Sequence, residues 1–213
     1  IDVYQLHGVP PAGYDYVLHH LAPVLLRERD KGKFRFLGIT ETAPHDLEHD
    51  MLRRAAADGV WDVVMVGFSM VHQNARERVF PLTRRHAVGT LLMFAVRNIF
   101  SQPGRLAETL RGLAAEGKVA ASLAERDDPL GFLVHADGAS SVVDAAYRYV
   151  RHEPGVDVVL FGTGRVEHLK TNIASLLKPP LPAADRHRID ELLGHLVGVG
   201  LDAPHLSSPR PRA

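Results

Sequence analysis

The sequence predicts an α/β fold of the (β/α)8 barrel type, with about five of the eight βα units present in this chain. Short apolar runs alternate with helical patterns, and the first four runs begin roughly 30 residues apart, the length of one βα unit. Repeated βα units imply a parallel sheet with right-handed crossovers, either in an open doubly wound sheet or in part of a barrel. The chain has 213 residues, fewer than the roughly 250 of a typical complete barrel.

Five runs rich in β-branched and apolar residues read as parallel strands buried on both faces: 1–6, 34–40, 62–68, 88–96 and 156–161. Helical spacing of apolar residues predicts the intervening helices: 15–32, 42–58, 74–85, 104–117, 140–152, 167–177 and 183–198. We expect one partial barrel over 1–202 and a mobile tail over 203–213, which is rich in Pro, Ser and Arg. Because the sequence opens in a strand, we also expect the natural polypeptide to extend upstream of Ile1.

Composition excludes several classes of function. Lys plus Arg and Asp plus Glu each number 25, so the net charge near zero gives no electrostatic reason to expect nucleic acid or membrane as a partner. The absence of Cys excludes thiol catalysis, zinc–thiolate sites and disulfides. No apolar run approaches the roughly 18 residues of a membrane span, and we expect a cytoplasmic protein.

Two positions at predicted strand ends carry candidate chemistry. His7 ends the first strand, and in parallel barrels the carboxyl ends of the strands form the active-site face, where a His can orient a carbonyl or exchange protons. The alternative is a His that hydrogen-bonds locally. Gly162-Thr163-Gly164 follows the last strand and leads into a helix. Free amides and the positive helix end suit phosphate there, and a tight βα turn is the alternative.

A metal site is disfavoured. His45 and His49 stand four residues apart on the predicted helix 42–58, but the sequence offers no third ligand beside them. We therefore predict no metal.

Four segments, in order, resemble the aldo-keto reductases. Residues 1–7, IDVYQLH, resemble that family's D-x-x-Q-L-H strand, and residues 32–40, GKFRFLGIT, resemble its next strand. Residues 61–66, WDVVMV, resemble the strand after that, and residues 162–172, GTGRVEHLKTN, resemble the closing cofactor-binding turn and helix. On this resemblance the five strands are the fourth to eighth of the barrel, so that the chain matches the C-terminal two thirds of the family.

The resemblance implies an NAD(P)-dependent oxidoreductase that interconverts a small carbonyl substrate and its alcohol by hydride transfer, without metal or flavin. His7 matches the family's His, whose hydrogen bond stabilises negative charge on the carbonyl oxygen. The family's catalytic Tyr, Asp and Lys lie on segments before the His strand, and no residue here matches them. The alternative is therefore a non-catalytic remnant, a module that binds a nucleotide or a partner. Open barrel edges would favour its self-association.

The resemblance also places cofactor contacts. Thr40 and Glu41 stand where the family usually has Ser-Asn on the nicotinamide amide, Met65 replaces the usual Gln, and Met93 replaces the stacking aromatic residue. The closing turn and helix supply the remaining cofactor positions: Gly162, Thr163, Gly164, Arg165, His168 and Asn172. Lys and Arg residues that commonly bind the 2′-phosphate of NADP are replaced here, which favours NAD.

Overall fold

The computed structural model describes residues 1–202, in which five strands form one parallel sheet. The strands are β1 (Val3–Val9), β2 (Phe36–Glu41), β3 (Val63–Gly67), β4 (Gly89–Met93) and β5 (Val158–Val159). All five predicted strands are present, and each overlaps its predicted range. The predicted tail, 203–213, lies outside the described residues.

The strand order in the sheet is the order in the chain, β1-β2-β3-β4-β5, and every neighbouring pair is parallel. A doubly wound sheet reverses its strand order at a switch point, and this sheet has no reversal. Right-handed crossovers that all advance in one direction place their helices on one face of the sheet. The topology is therefore that of part of a barrel, which confirms the predicted fold class.

One face of the sheet is buried much more completely than the other. On the face packed against helices, here called the outer face, Leu37, Ile39, Val64, Val66 and Leu92 are fully buried. Their neighbours along the strands point to the opposite, inner face, because side chains alternate in a strand. There Phe36 and Val158 remain 43% and 47% exposed. The continuous apolar runs predicted burial on both faces, and that prediction is wrong for the inner face.

The edge strand β1 is the most exposed of the long strands. Val3 and Tyr4 are each more than a third exposed, and Tyr4 stacks on Phe34 with ring centroids 5.2 Å apart. The apolar run 1–6 predicted a strand buried on both faces, but β1 lies at the edge of the sheet. An edge strand has a neighbouring strand on one side only, which leaves these side chains exposed.

The described residues contain eleven α-helical segments. The first two, α1 (Tyr14–Tyr16) and α2 (Ala22–Asp30), are joined by a π-helical turn, Val17–Leu21, into one rod. The others are α3 (Asp50–Ala55), α4 (Ala75–Arg78), α5 (Phe80–His86), α6 (Asn98–Ser101), α7 (Arg105–Ala115), α8 (Ala121–Ala124), α9 (Val142–Arg151), α10 (Val166–Leu176) and α11 (Ala183–Leu193). None of the helices in 1–202 is long and apolar enough to cross a membrane.

The predicted helix 42–58 is wrong in its first half. Only Asp50–Ala55 is α-helical, and it follows a short 3₁₀ turn, Ala43–His45. Pro44 disfavours a helical residue before it, and His49 adopts a left-handed backbone with φ of 54°. His45 is consequently exposed, whereas His49 is buried, so the two do not share a helical face.

The unequal burial of the two faces predicts unequal losses of stability at neighbouring positions of β4. Leu92→Ala removes a fully buried side chain from the outer face and should lower the free energy of unfolding by about 2–5 kcal/mol. Leu91→Ala, on the half-buried inner face, is the matched control and should cost less than half as much. Urea denaturation of both variants measures the difference, and equal losses would show that the inner face is also buried in solution.

Candidate functional site

The carboxyl ends of the strands bring four of the predicted site residues to one edge. Thr40 pairs with Met65, and Gly67 pairs with Met93, so register and alternation place Thr40, Met65 and Met93 on the inner face. His7 lies beside them at the end of β1 and is exposed. We call this group of four residues the inner edge.

A bulge near the end of β1 sets the direction of His7. Leu6 pairs with Ile39 and Val9 pairs with Glu41, so β1 has one residue more than β2 over this stretch. Gly8 takes the left-handed conformation that the bulge requires, with φ of 66°, and donates its N–H to Thr40 Oγ1 at 2.6 Å. The hydroxyl of Thr40 therefore fixes the backbone next to His7.

The structure does not bring Glu41 to the inner edge. As the residue after Thr40, Glu41 points to the outer face, where its side chain is fully buried. Its Oε1 accepts the Gly67 N–H at 2.7 Å, and its Oε2 lies 2.8 Å from Nδ1 of His49. Burial raises the pKa of Glu41, an effect that the hydrogen bond and charge of His49 partly offset.

The turn after β5 forms an open platform at the same end of the sheet. Residues 162–170 are all exposed, and no atom of residues 1–202 lies within 4 Å of where a Cβ would stand at Gly162 or Gly164. Thr163 Oγ1 accepts the Arg165 N–H at 3.2 Å, which shapes the turn. Helix α10 begins directly afterwards, and no side chain of the described residues caps its first amides.

The remaining predicted positions lie on or beside α10. His168 and Asn172 are four residues apart, so they share one face of the helix. Arg165 precedes the helix, is exposed, and reaches Glu167 only at 4.0 Å. The turn, Arg165 and the side chains of His168 and Asn172 thus follow one another along the start of α10.

Phe94, at the end of β4, has a strained backbone. Its φ is 71°, a left-handed conformation that costs a bulky residue energy. The guanidinium of Arg97 lies over its ring, 5.0 Å from the centroid, which holds the ring beside Met93.

Three of the five tyrosines are buried away from the inner edge. Burial and a 2.7 Å hydrogen bond to Asp58 raise the pKa of Tyr14, and burial also raises the pKa of Tyr149 and raises that of Tyr147 to about 12. These phenols stay protonated at neutral pH. Tyr4 and Tyr16 are exposed, on β1 and in α1 respectively.

No group of His, Asp or Glu within residues 1–202 is arranged to hold a metal ion. The buried His49 hydrogen-bonds to Glu41 and Asn74 instead.

The family is decided by a match to the aldo/keto reductase family model over residues 1–194. The chain belongs to the aldo/keto reductase family. No curated protein matches it.

Solved aldo-keto reductases share its fold. The holo form of one from Bacillus halodurans superposes with a TM-score of 0.63 at 21% identity, over 91% of this chain and 61% of that one. An aldo/keto reductase from Klebsiella pneumoniae, in complex with NADP and acetate, gives 0.59 at 20% identity, over 91% and 59%. The chain thus spans about three fifths of the length of these relatives.

Sequence reasoning missed the contacts of Glu41, His49 and Asn74. Strict alternation along β2 carried the signal for Glu41, because it requires residues 40 and 41 to face opposite ways. The turn that buries His49 has no periodic pattern from which it could be found.

The contact between Thr40 and Gly8 predicts a stability difference between two substitutions. Thr40→Val keeps the shape but leaves the Gly8 N–H without its acceptor, and should lower the free energy of unfolding by about 1–3 kcal/mol. Thr40→Ser keeps the hydroxyl and should lose less. Denaturation measures stability and hydrogen exchange measures protection of Gly8; equal behaviour of the two variants would contradict the assigned contact.

Proposed function

We propose that the chain carries the cofactor-binding part of an NAD(P)-dependent aldo/keto reductase, which interconverts a carbonyl compound and an alcohol. The observation that carries the proposal is the convergence at one end of the sheet. The inner edge, the open turn 162–164 and the start of α10 all lie at the carboxyl ends of the strands.

The turn and helix suit the phosphate groups of a dinucleotide. Glycines at 162 and 164 leave open space in which phosphate oxygens can approach the backbone. The uncapped amides of α10 and the positive end of its dipole favour negative charge there. Asn172 and His168 lie further along the helix, where we place the adenine end.

The inner edge suits the nicotinamide end. Met65 and Met93 are partly buried and offer polarisable surface on which a flat ring can pack. The hydroxyl of Thr40 accepts the Gly8 N–H and keeps its own proton, which can be donated to the carboxamide oxygen. Bound here in its reduced form, the cofactor would supply the hydride. The Klebsiella relative forms a complex with NADP.

His7 takes the role of orienting substrate. It is exposed on the same face as Thr40, and an imidazole N–H there can donate to a carbonyl oxygen. Such a donor stabilises the negative charge that develops as hydride arrives.

We propose NAD as the preferred cofactor. A 2′-phosphate is bound best by guanidinium or ammonium groups, and the turn itself holds Gly162 and Thr163. Arg165 is the first cation after the turn in the sequence, and Lys170 follows it by five residues on α10.

We further propose that β1 to β5 correspond to the fourth to eighth barrel strands, since the motif segments follow the same order. The exposed inner face and the free edge of β1 favour packing on another polypeptide surface, including a second copy of this chain.

The second candidate is a module that binds the nucleotide without turnover. It is favoured by the tyrosines, since Tyr14, Tyr147 and Tyr149 are buried and none stands at the inner edge. This candidate shares the cofactor surface and differs only in lacking a proton donor.

Valines at the glycine turn should block the cofactor. Gly162→Val and Gly164→Val place side chains in open space, so the fold should persist while the Kd for NADH rises at least about tenfold, equivalent to about 1.4 kcal/mol. Gly112→Val is the matched control, because Gly112 on α7 is also open to solvent. Calorimetric titration with NADH and NADPH measures both affinity and preference. Unchanged NADH binding in both turn variants would contradict the proposed site.

For the 213-residue chain alone we expect no carbonyl reduction, because no tyrosine of the described residues stands at the inner edge. The assay follows NADH absorbance with glyceraldehyde and an aromatic aldehyde. Turnover that His7→Ala abolishes, and that the exposed control His45→Ala keeps, would contradict this expectation and favour the reductase over the binding module.

A further inference from the structure

A buried chain of hydrogen bonds lies directly behind the inner edge. It runs from Glu41 through His49 to Asn74: Glu41 Oε2 to His49 Nδ1 is 2.8 Å, and His49 Nε2 to Asn74 Oδ1 is 3.0 Å. The side chains of Glu41 and His49 are both 0% exposed. Burying a carboxylate beside an imidazole costs free energy unless both groups are hydrogen-bonded. The three hydrogen-bonded residues therefore call for a structural or functional explanation.

The hydrogen-bond partners fix where the protons lie. Asn74 donates its Nδ2 to the Leu47 carbonyl at 2.7 Å, which leaves its Oδ1 as the acceptor facing His49. Nε2 of His49 must therefore carry a proton. One further proton lies between His49 Nδ1 and Glu41 Oε2, because two acceptors would repel each other at 2.8 Å.

The surrounding groups favour the protonated ring. Burial disfavours the imidazolium, but the hydrogen bond and charge of Glu41 outweigh that effect and raise the pKa of His49. Asp46 adds negative charge nearby and uses its oxygens to accept the Asp50 and Met51 amides. The ring of His72 lies 5.1 Å away, tilted by 35°; burial and the charge of His49 lower the pKa of His72 to about 3, so it stays neutral.

The other end of this chain reaches the inner edge. Glu41 Oε1 accepts the N–H of Gly67, the last residue of β3. Gly67 pairs with Met93, and a Cβ on Gly67 would stand 3.3 Å from the ring of Phe94. The Glu41 carboxylate thus ties the end of β2 to the end of β3, which pairs with β4 beside the proposed nicotinamide position.

The backbone conformation of His49 also indicates that its contacts hold it in place. Its left-handed conformation, with φ of 54°, is uncommon for a non-glycine residue. Such conformations persist where surrounding contacts over-determine them, and here the ring is held at both nitrogens.

We propose that His49 is a positioning residue for the cofactor site: by holding the Glu41 carboxylate on the Gly67 amide, it fixes the carboxyl ends of β2 and β3. Glu41 accordingly acts from behind the inner edge, and Thr40 alone of this pair faces the nicotinamide. The inference rests on the proposed function.

His49→Asn is the first test. Asparagine tolerates the left-handed backbone but is too short to bridge Glu41 and Asn74. The Kd for NADH should rise about tenfold or more, and the Gly67 amide should lose protection against hydrogen exchange. His45→Ala is the control. It removes an exposed imidazole from the same segment between β2 and α3, and should change neither the Kd for NADH nor the protection of Gly67.

Glu41→Gln supplies a second test that keeps the hydrogen bonds. Its amide can accept from Gly67 and donate to Nδ1 of a neutral His49, so most of the NADH affinity should remain. Nitrogen-15 NMR of the ring should show the Nε2–H tautomer alone near neutral pH, whereas the unmodified chain should keep both ring protons.

Three results would overturn the proposal: unchanged NADH binding and Gly67 protection in a folded His49→Asn, loss of most affinity in Glu41→Gln, or His49 ring signals that move when NADH binds. The last would mean that the Glu41 carboxylate turns to the cofactor itself.

If His49→Asn does not fold, the NADH affinity of Glu41→Gln decides. If the unmodified chain does not bind NADH, the proposed function fails, and Gly67 exchange in His49→Asn still decides whether His49 holds this amide.

Discussion

Burial of one face of the parallel sheet against helices is the constraint on which the rest of the structure depends. The fully buried outer-face residues of β2, β3 and β4 fix the register of these strands, because a slip by one residue would turn them to the opposite face. That register in turn decides what reaches the inner edge. Thr40, Met65 and Met93 lie there because their neighbours are needed in the core.

Because side chains alternate along a strand, Thr40 and Glu41 at the end of β2 make contacts on opposite faces of the sheet. Thr40 faces inward and holds the backbone beside His7, whereas Glu41 faces outward and holds the amide of Gly67. Adjacent residues of one strand thereby connect β1, β2 and β3 at the site. A buried carboxylate is tolerated there because His49 and the Gly67 amide occupy its oxygens.

Much of this fold follows from the sequence, since apolar runs and helical periodicity predict five parallel strands and most of the helices between them, and the family resemblance selects the barrel over the doubly wound sheet. The resemblance assigns His7, Thr40, Met65 and Met93 to one site, and the register in the structure places them at one edge of the sheet. The exposure of the inner face was not predictable, because an apolar run does not reveal that only one of its faces is covered. The turn around His49 was not predictable either. It depends on Pro44 and on the left-handed backbone of His49. It also depends on the hydrogen bonds of His49 to Glu41 and Asn74, and of Asn74 to the Leu47 carbonyl.

We propose that one end of this sheet binds a nicotinamide dinucleotide, and an NMR titration of the nitrogen-15-labelled chain with NADH tests this binding. We expect amide signals to shift at two places together: Gly67 and Met93 at the nicotinamide end, and Gly162, Gly164 and Asn172 at the phosphate and adenine end. Shifts confined to other parts of the chain, or none at millimolar NADH, would contradict it.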